Sequence, residues 1–428
     1  MRTLALPLLL AVGLAPAIAQ ASETRLLCGS MLDVESGEIL TDRTLVVVDD
    51  TIVEVLEEID SGDDARSIDL TDQTCLPGLM DMHTHFASEL TEGSYIRRFT
   101  EDAPVLALRA ADNARITLEA GFTTVRELGD SFDVSVALRD AIQQGLAEGP
   151  RIFTSAKSLA TTGGHADPTN AYRDDLAGDP GPREGVINGP VEARKAVRQR
   201  YKDGADLIKI TATGGVLSVA RRGENPQFLT DEIEAVVETA RDYDMHVAAH
   251  AHGAEGMKRS IRAGVASIEH GTLMEEEVMD LMIEHEVWYV PTISAGKFVA
   301  EKADVDGFFP ELVRPKAREL GPKIQETFGE AWRAGVPIAF GTDAGVGPHG
   351  DNAMEFVYMV ETGYPEIDAI RSATLHAARL LDMEDELGQL APDMKADVIA
   401  VSGNPLEDIE TLLKMDFVMA AGRVAVQP

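Results

Sequence analysis

The chain has 428 residues with 38 basic and 73 acidic side chains, a net charge of −35, and is 44% hydrophobic but only 5% aromatic. An acidic excess of this size excludes nucleic acid and anionic membrane surfaces as partners. The length suits one barrel-sized domain with an appended module, built around an aliphatic core.

In chain order, residues 1–21 read as a secretory signal peptide. Arg2 precedes an apolar stretch from Leu4 to Ala19 that ends in Ala17-Ile18-Ala19 and Ala19-Gln20-Ala21, a basic start followed by a short apolar run and small residues at the cleavage site. Pro7, Gly13 and Pro16 interrupt it, and it is short for a spanning helix. The expectation is an exported chain, periplasmic or secreted, with no membrane attachment after cleavage. Residues 22–76 hold short β-branched strands at Thr24–Leu27, Thr44–Val48 and Thr51–Val55, and residues 381–428 hold two more at Ala396–Val401 and Phe417–Ala425. These chain ends are expected to pair into one small β-sandwich. Export permits a disulfide between Cys28 and Cys75, although two cysteines in core-like strands read equally as buried thiols.

Residues 77–380 alternate strands with amphipathic helices. Strands are predicted at Leu79–His83, Thr123–Glu127, Arg151–Ser155, Leu207–Thr211, His246–His250, Ser267–His270, Trp288–Pro291 and Pro337–Gly341, and helices at Leu106–Glu119, Val134–Gln144, Val191–Asp203, Asp231–Tyr243 and Met274–Glu284. This pattern predicts an α/β fold, a closed parallel (β/α)8 TIM-like metallohydrolase barrel. Chemistry in such a barrel sits at the C-terminal strand ends. His83 and His85 end the first strand and, two residues apart, leave it on one side. Lys209 ends the fourth strand, His250 the fifth, His270 the sixth, and Asp343 follows the eighth. An isolated His-x-His pair reads equally as core or surface; five strand ends carrying potential ligands on one barrel face read as a metal site.

These residues carry a family resemblance. Leu76-Pro77-Gly78-Leu79-Met80-Asp81-Met82-His83-Thr84-His85, Ile208-Lys209-Ile210, His250-Ala251-His252-Gly253, Ile268-Glu269-His270-Gly271 and Gly341-Thr342-Asp343-Ala344-Gly345 resemble the amidohydrolase superfamily, in its Xaa-Pro dipeptidase and imidazolonepropionase-like branch. Within it the chain is most similar to exported carboxypeptidase-like members and ochratoxin A-degrading amidohydrolases. The tail departs slightly, with His376 for a usual Asn and Pro392-Asp393-Met394 for a Gly-containing turn. The resemblance implies two divalent ions, zinc first by ligand type, with manganese or cobalt as alternatives. His83, His85 and Asp343 would hold one, His250 and His270 the other, and Lys209, carboxylated by CO2, would lie between them. Asp343 and Lys209 are then the catalytic residues, Asp343 also passing a proton to the leaving amine. The implied reaction is hydrolysis of an amide or peptide bond to a C-terminal amino acid in a dipeptide, an N-acyl amino acid or ochratoxin A. The resemblance also implies a homo-oligomer.

Four substrate-side expectations remain. His252 is assigned to substrate binding or to support of the ligands. His165 stands in the long Thr161–Pro190 loop, as a substrate residue or a surface histidine. Arg221 and Arg222 lie in the Gly214–Thr230 loop, facing a substrate carboxylate or solvent. Ser88, just past the paired histidines, is a weaker candidate, as is His349; His246, His285 and His376 read as structural. A cyclic amidine or lactone hydrolase of the imidazolonepropionase kind is the alternative, against which Lys209 counts, and a ligand-depleted scaffold is a third reading.

Overall fold

The computed structural model describes residues 23–63, 65–220 and 222–428, so the leader expected at 1–21 and Arg221 lie outside the described residues. In chain order the strands are β1 (Glu23–Asp33), β2 (Glu38–Val48), β3 (Thr51–Leu56), β4 (Arg66–Pro77), β5 (Leu79–Thr84), β6 (Phe122–Glu127), β7 (Arg151–Thr154), β8 (Ile208–Thr211), β9 (Val247–Gly253), β10 (Ser267–Leu273), β11 (Trp288–Val290), β12 (Val398–Val401), β13 (Phe417–Ala420) and β14 (Arg423–Val426).

Strands β5–β6–β7 and β8–β9–β10–β11 form two parallel sheets. Single bridges join them into a ring: Leu159 with Ile210 beside β8, and Tyr289 with Ile338 and Thr84 with Ala344 on the two sides of the eighth segment. That segment, Pro337 to Gly341, is not a regular strand. Its N–H groups are split between neighbours, Ala339 donating to Tyr289 and Phe340 to Ser372, while Met82 donates to the Phe340 carbonyl. The ring is closed, and its β5, β8 and β9 residues are buried along their whole length, as a barrel wall covered by helices on one face and filled by side chains on the other requires.

The helices wrap the barrel. That from Pro190 to Asp203 begins on a proline, which needs no N–H partner there, and stops at Gly204, whose φ of 93° makes the left-handed cap. The helix from Thr230 to Arg241 starts where Glu232 accepts from the Leu229 N–H at 2.8 Å. No helix among the described residues is long and apolar enough to cross a membrane.

The two chain ends build one seven-stranded sheet in the order β14-β13-β12-β4-β1-β2-β3. Neighbours run antiparallel except β1 and β4, which are parallel. The sheet curls into a sandwich-like shell, because its β3 edge bonds to the segment entering β12: Ile52 donates to Met394 and Asp393 donates to Ile52, both at 2.8 Å. Leu26, Leu45, Val47, Leu70, Val398 and Phe417 fill the shell. Cys28 and Cys75 are bonded as a disulfide across it, with Cα atoms 5.9 Å apart. Strand β4 was not anticipated. Its Asp69, Thr71 and Asp72 face outward while Leu70 and Cys75 face in, so its composition resembles a polar linker although it lies between two partners.

Candidate metal centre

Each candidate ligand is placed by the end of a barrel strand. His83 lies in β5 and His85 just after it, Lys209 in β8, His250 in β9, His270 in β10, and Asp343 follows the eighth segment. The structure brings them together at the C-terminal mouth. Lys209 Nζ is 3.4 Å from His83 Nε2. Asp343 Oδ1 is 3.6 Å from His83 Nε2 and 3.3 Å from His85 Nε2. One ligand atom each from His83, His270 and Asp343 lie within 4.8 Å of one another. The His250 and His270 rings are 4.6 Å apart, and His83 and His270 5.0 Å.

Strand alternation alone does not produce this cluster. Glu269 and His270 are consecutive in β10, yet Glu269 reaches His83 Nδ1 at 2.9 Å while the His270 ring lies beside the same His83. His270 has φ 71°, and Asp343 has φ 60°. Positive φ is costly for side-chain-bearing residues; at His270 it turns the ring back toward the side of Glu269, where regular alternation would point it away.

The donor chemistry fits a divalent ion. A carbonyl or carboxylate can only accept, so any ring nitrogen bonded to one carries the proton and leaves the other lone pair free. His83 Nδ1 donates to Glu269 and His85 Nδ1 to the Gly129 carbonyl at 2.8 Å. His250 Nε2 donates to the Gly214 carbonyl at 3.0 Å. His270 Nδ1 donates at 2.8 Å to Thr292 Oγ1, which is an acceptor because its own proton goes to the Pro291 carbonyl at 2.6 Å. Nε2 of His83 and His270 and Nδ1 of His250 therefore present lone pairs, the tautomers that metal ligation needs, and Nε2 of His85 points into the same mouth, where it shares a proton with Asp343 at 3.3 Å that a cation would displace. Burial keeps three of the imidazoles neutral: it pushes His83 down to about 4, with Lys209 adding to the effect, and holds His250 and His270 well below the ordinary value with help from the neighbouring rings. For His85, burial works against the charge, but Asp343 and Glu127 outweigh it and raise the imidazole above its ordinary value. Burial also pushes Lys209 down to about 8. For Asp343, burial works against the charge, but His83, His85 and Lys209 outweigh it and hold the carboxyl below its usual value.

Beneath the cluster is a layer that sequence reasoning missed. Arg126 is fully buried in β6. It donates Nη2 to Glu269 at 2.7 Å, Nε to the Met82 carbonyl at 2.7 Å and Nη1 to Ser267 at 3.1 Å. Burial disfavours ionised Glu269, but Arg126 and His83 outweigh it and hold the carboxyl at about 2. Asp81 accepts from Thr342 Oγ1 at 2.6 Å and Asn352 Nδ2 at 2.8 Å, tying β5 to the turn that carries Asp343. A single sequence signalled Glu269 only as the neighbour of His270 and gave no sign of the reach of Arg126 across the barrel.

The substrate-side residues fall into two groups. His252 is buried, stacked on His270 at 5.1 Å, with Nδ1 2.7 Å from Thr272 Oγ1. The His165 ring lies on His250 at 4.4 Å, with Nδ1 buried and without a hydrogen-bond partner among the described residues. Both border the cluster. Ser88 Oγ donates to the Gly345 carbonyl at 3.3 Å, and the Ser88 carbonyl accepts from His349 Nε2 at 3.1 Å, so both residues brace the mouth. Arg222 is turned to solvent, its side chain 70% exposed and paired with Glu224 at 3.4 Å. His376 donates Nδ1 to the Ile338 carbonyl at 2.9 Å, and His246 is buried before β9.

The comparisons agree with this geometry. Residues 74–425 match the model of the amidohydrolase family. Ochratoxinase from Aspergillus niger is 34% identical over 401 residues, covering 87% of this chain and 80% of that protein. The crystal structure of a Xaa-Pro dipeptidase with bound methionine in its active site superimposes with a TM-score of 0.92 at 53% identity, covering 94% of this chain and 99% of that one. The A. niger ochratoxinase structure gives 0.83 at 29% identity over 96% of each chain. The chain belongs to the amidohydrolase family and is a hydrolase acting on amide bonds.

Proposed function

We propose that this enzyme is an exported two-metal amidohydrolase that cuts the amide bond to a C-terminal amino acid. The observation that carries the reading is the set of ring nitrogens from His83, His85, His250 and His270 turned onto one mouth, with Lys209 and Asp343 among them. His83, His85 and Asp343 would hold one ion and His250 and His270 the other. Lys209 would lie between as a carbamate, its Nζ bonding to the carbon of CO2 and releasing a proton. Bound divalent ions supply an activated water and a polarised scissile carbonyl, and zinc suits this ligand set.

The remaining work belongs to the chain. Asp343 Oδ1, held at 3.3 Å from His85, accepts a proton and returns it to the departing amine, which leaves poorly without one. His165 and His252 flank the ligands and orient the substrate. The acyl side is expected to be apolar and bulky. Leu90, Tyr95, Leu217, Phe298, Phe308 and Val346, all in segments that follow barrel strands, gather in one partly buried cluster. A dipeptide, an N-acyl amino acid or ochratoxin A meets this description. The sequence relative ochratoxinase and the Xaa-Pro dipeptidase structure support the same class. The Cys28–Cys75 disulfide supports an oxidising compartment and hence export. Exposed Ile96, Phe99 and Leu108 support assembly into a homo-oligomer.

The test is a panel of ochratoxin A, an N-acyl-phenylalanine, Xaa-Pro and basic dipeptides, read by mass spectrometry with zinc-supplied wild type and Lys209→Ala. Wild type should release the amino acid. The variant should lose more than the 10- to 100-fold that disturbing an outer partner of a metal site costs, and should retain less zinc by elemental analysis. A wild type that leaves every amide intact while holding its metal would end the reading.

A further inference from the structure

Lys316 has no role in the site described so far. It lies on the helix Arg314–Leu320 and is only 7% exposed. Its ammonium donates to the Gly215 carbonyl at 2.8 Å and the Ser218 carbonyl at 2.7 Å. An ammonium has three donors, and the third finds no acceptor among the described residues; Glu224, the carboxylate whose charge bears on it, lies beyond ion-pair distance. A buried cation with only neutral partners is costly, and an anion arriving from outside the chain would relieve that cost.

The surroundings indicate which anion. A Cβ on Gly215 would collide with the His165 ring, so the backbone that accepts from Lys316 lies directly under His165, whose ring stacks on His250. The His252 ring borders the same His250, at 4.7 Å. Its helix packs through Ala317 and Leu320 into the apolar cluster at the mouth. Of the two arginines expected to face a substrate carboxylate or solvent, Arg222 is turned to solvent, and Arg221 lies outside the described residues.

We propose that Lys316 receives the free carboxylate of the substrate's C-terminal amino acid, beside His165 and His252. This rests on the amide-hydrolase reading above and makes it specific: the residue that selects a terminal carboxylate comes from the helix that caps the loop after β8. With the carboxylate on Lys316, the amino-acid half of the substrate lies along the His165–His252 side, and the acyl half is left to the apolar cluster.

The experiment uses a matched pair, N-acetyl-L-phenylalanine and its C-terminal primary amide, with cleavage of the acyl–nitrogen bond followed in the metal-loaded enzyme. Lys316→Gln removes the charge but keeps donors for Gly215 and Ser218, whereas Lys316→Met removes both. Wild type should favour the acid in kcat/KM, and both variants should shrink the acid-to-amide ratio by about 10- to 100-fold, the range of one charge-assisted hydrogen bond. If Lys316→Met slows both substrates equally and Lys316→Gln restores both, Lys316 only clamps the loop and the proposal falls. If wild type cleaves neither compound, the functional reading falls by itself. Lys316 is then judged by calorimetry: tighter binding of the acid than of the amide, abolished in Lys316→Gln, supports it, and equal binding overturns it.

Discussion

The curled end sheet and the barrel mouth use the same backbone deviation for different purposes. In the sheet, positive φ falls on the exposed Asp42 of β2 and on Asp49 and Ala421, in the turns between β2 and β3 and between β13 and β14, all outside the buried core, where short polar or small residues bend the chain at little cost. At the mouth it falls on Ala156, His270, Thr292 and Asp343, all buried and all just at or past the end of a barrel strand. The sheet holds itself together by strand ladders, with register shifts in three of them, and a disulfide. The mouth is instead held by hydrogen bonds from a layer below it, and the energy spent there fixes where lone pairs point. Stability and function are therefore separable in this molecule, and substitutions in the two regions should behave differently.

The largest effect is expected where the two requirements meet. Arg126 and Glu269 form a fully buried pair. Removing one partner leaves an uncompensated charge, which costs about 3–5 kcal/mol. Arg126→Met should lower the unfolding free energy from denaturant titration by that amount and also loosen His83. Glu269→Gln should show both consequences by the other partner. It leaves the buried Arg126 cation unpaired, so stability falls in the same range, and it gives His83 a weaker acceptor, so metal affinity measured by chelator competition should drop about 10- to 100-fold. If Glu269→Gln keeps wild-type metal affinity, the layer beneath the mouth supports the fold alone.

The disulfide provides the converse. Cys28 and Cys75 are 47 residues apart in sequence, and a link of that length stabilises by about 2–4 kcal/mol. Cys28→Ser with Cys75→Ser should lower the melting temperature and leave kcat/KM and metal content unchanged at temperatures where the protein stays folded. A parallel loss of activity in folded protein would show that the end sheet and the mouth are coupled after all.

How much of this could be read from the letters follows the same division. The barrel strands were legible because each is a short apolar run between turn signals, and the ligand positions because they end those runs. Strand β4 was not legible, since Asp69, Thr71 and Asp72 give an outward-facing polar pattern that a linker shares. Nor was the eighth segment's irregular bonding, which depends on Ser372 and Tyr289, both distant in sequence. At the site, alternation correctly anticipates that His83 and His85 share a side, but it would separate Glu269 from His270; only the backbone angle at His270 reveals that both face the cluster. Arg126 and Lys316 were invisible for a simpler reason. Long side chains act far from their own backbone, and a sequence gives no direction to them.

The smallest effect should appear where the sheet closes. Asp50, in the turn after β2, accepts from Lys395 Nζ at 3.0 Å, joining that turn to the segment entering β12. The hydrogen bond from Lys395 holds the Asp50 carboxyl below its ordinary value of 3.8. A carboxyl depressed in the folded state contributes stability that is present above the unfolded value and lost as pH falls through the folded one. The pair's contribution should therefore be constant at neutral pH and fade only below about pH 4. Half of the Asp50 side chain is exposed, so solvent screening limits the contribution to less than about 1 kcal/mol. Asp50→Asn should shift the neutral-pH denaturant midpoint slightly and flatten the acid limb of the stability curve, with the difference from wild type vanishing once both carboxyl states are protonated. A gap that instead widens toward acid would mean that the backbone bonds between Ile52 and the Asp393–Met394 turn depend on this ion pair, and that the shell is closed by charge as well as by its ladder.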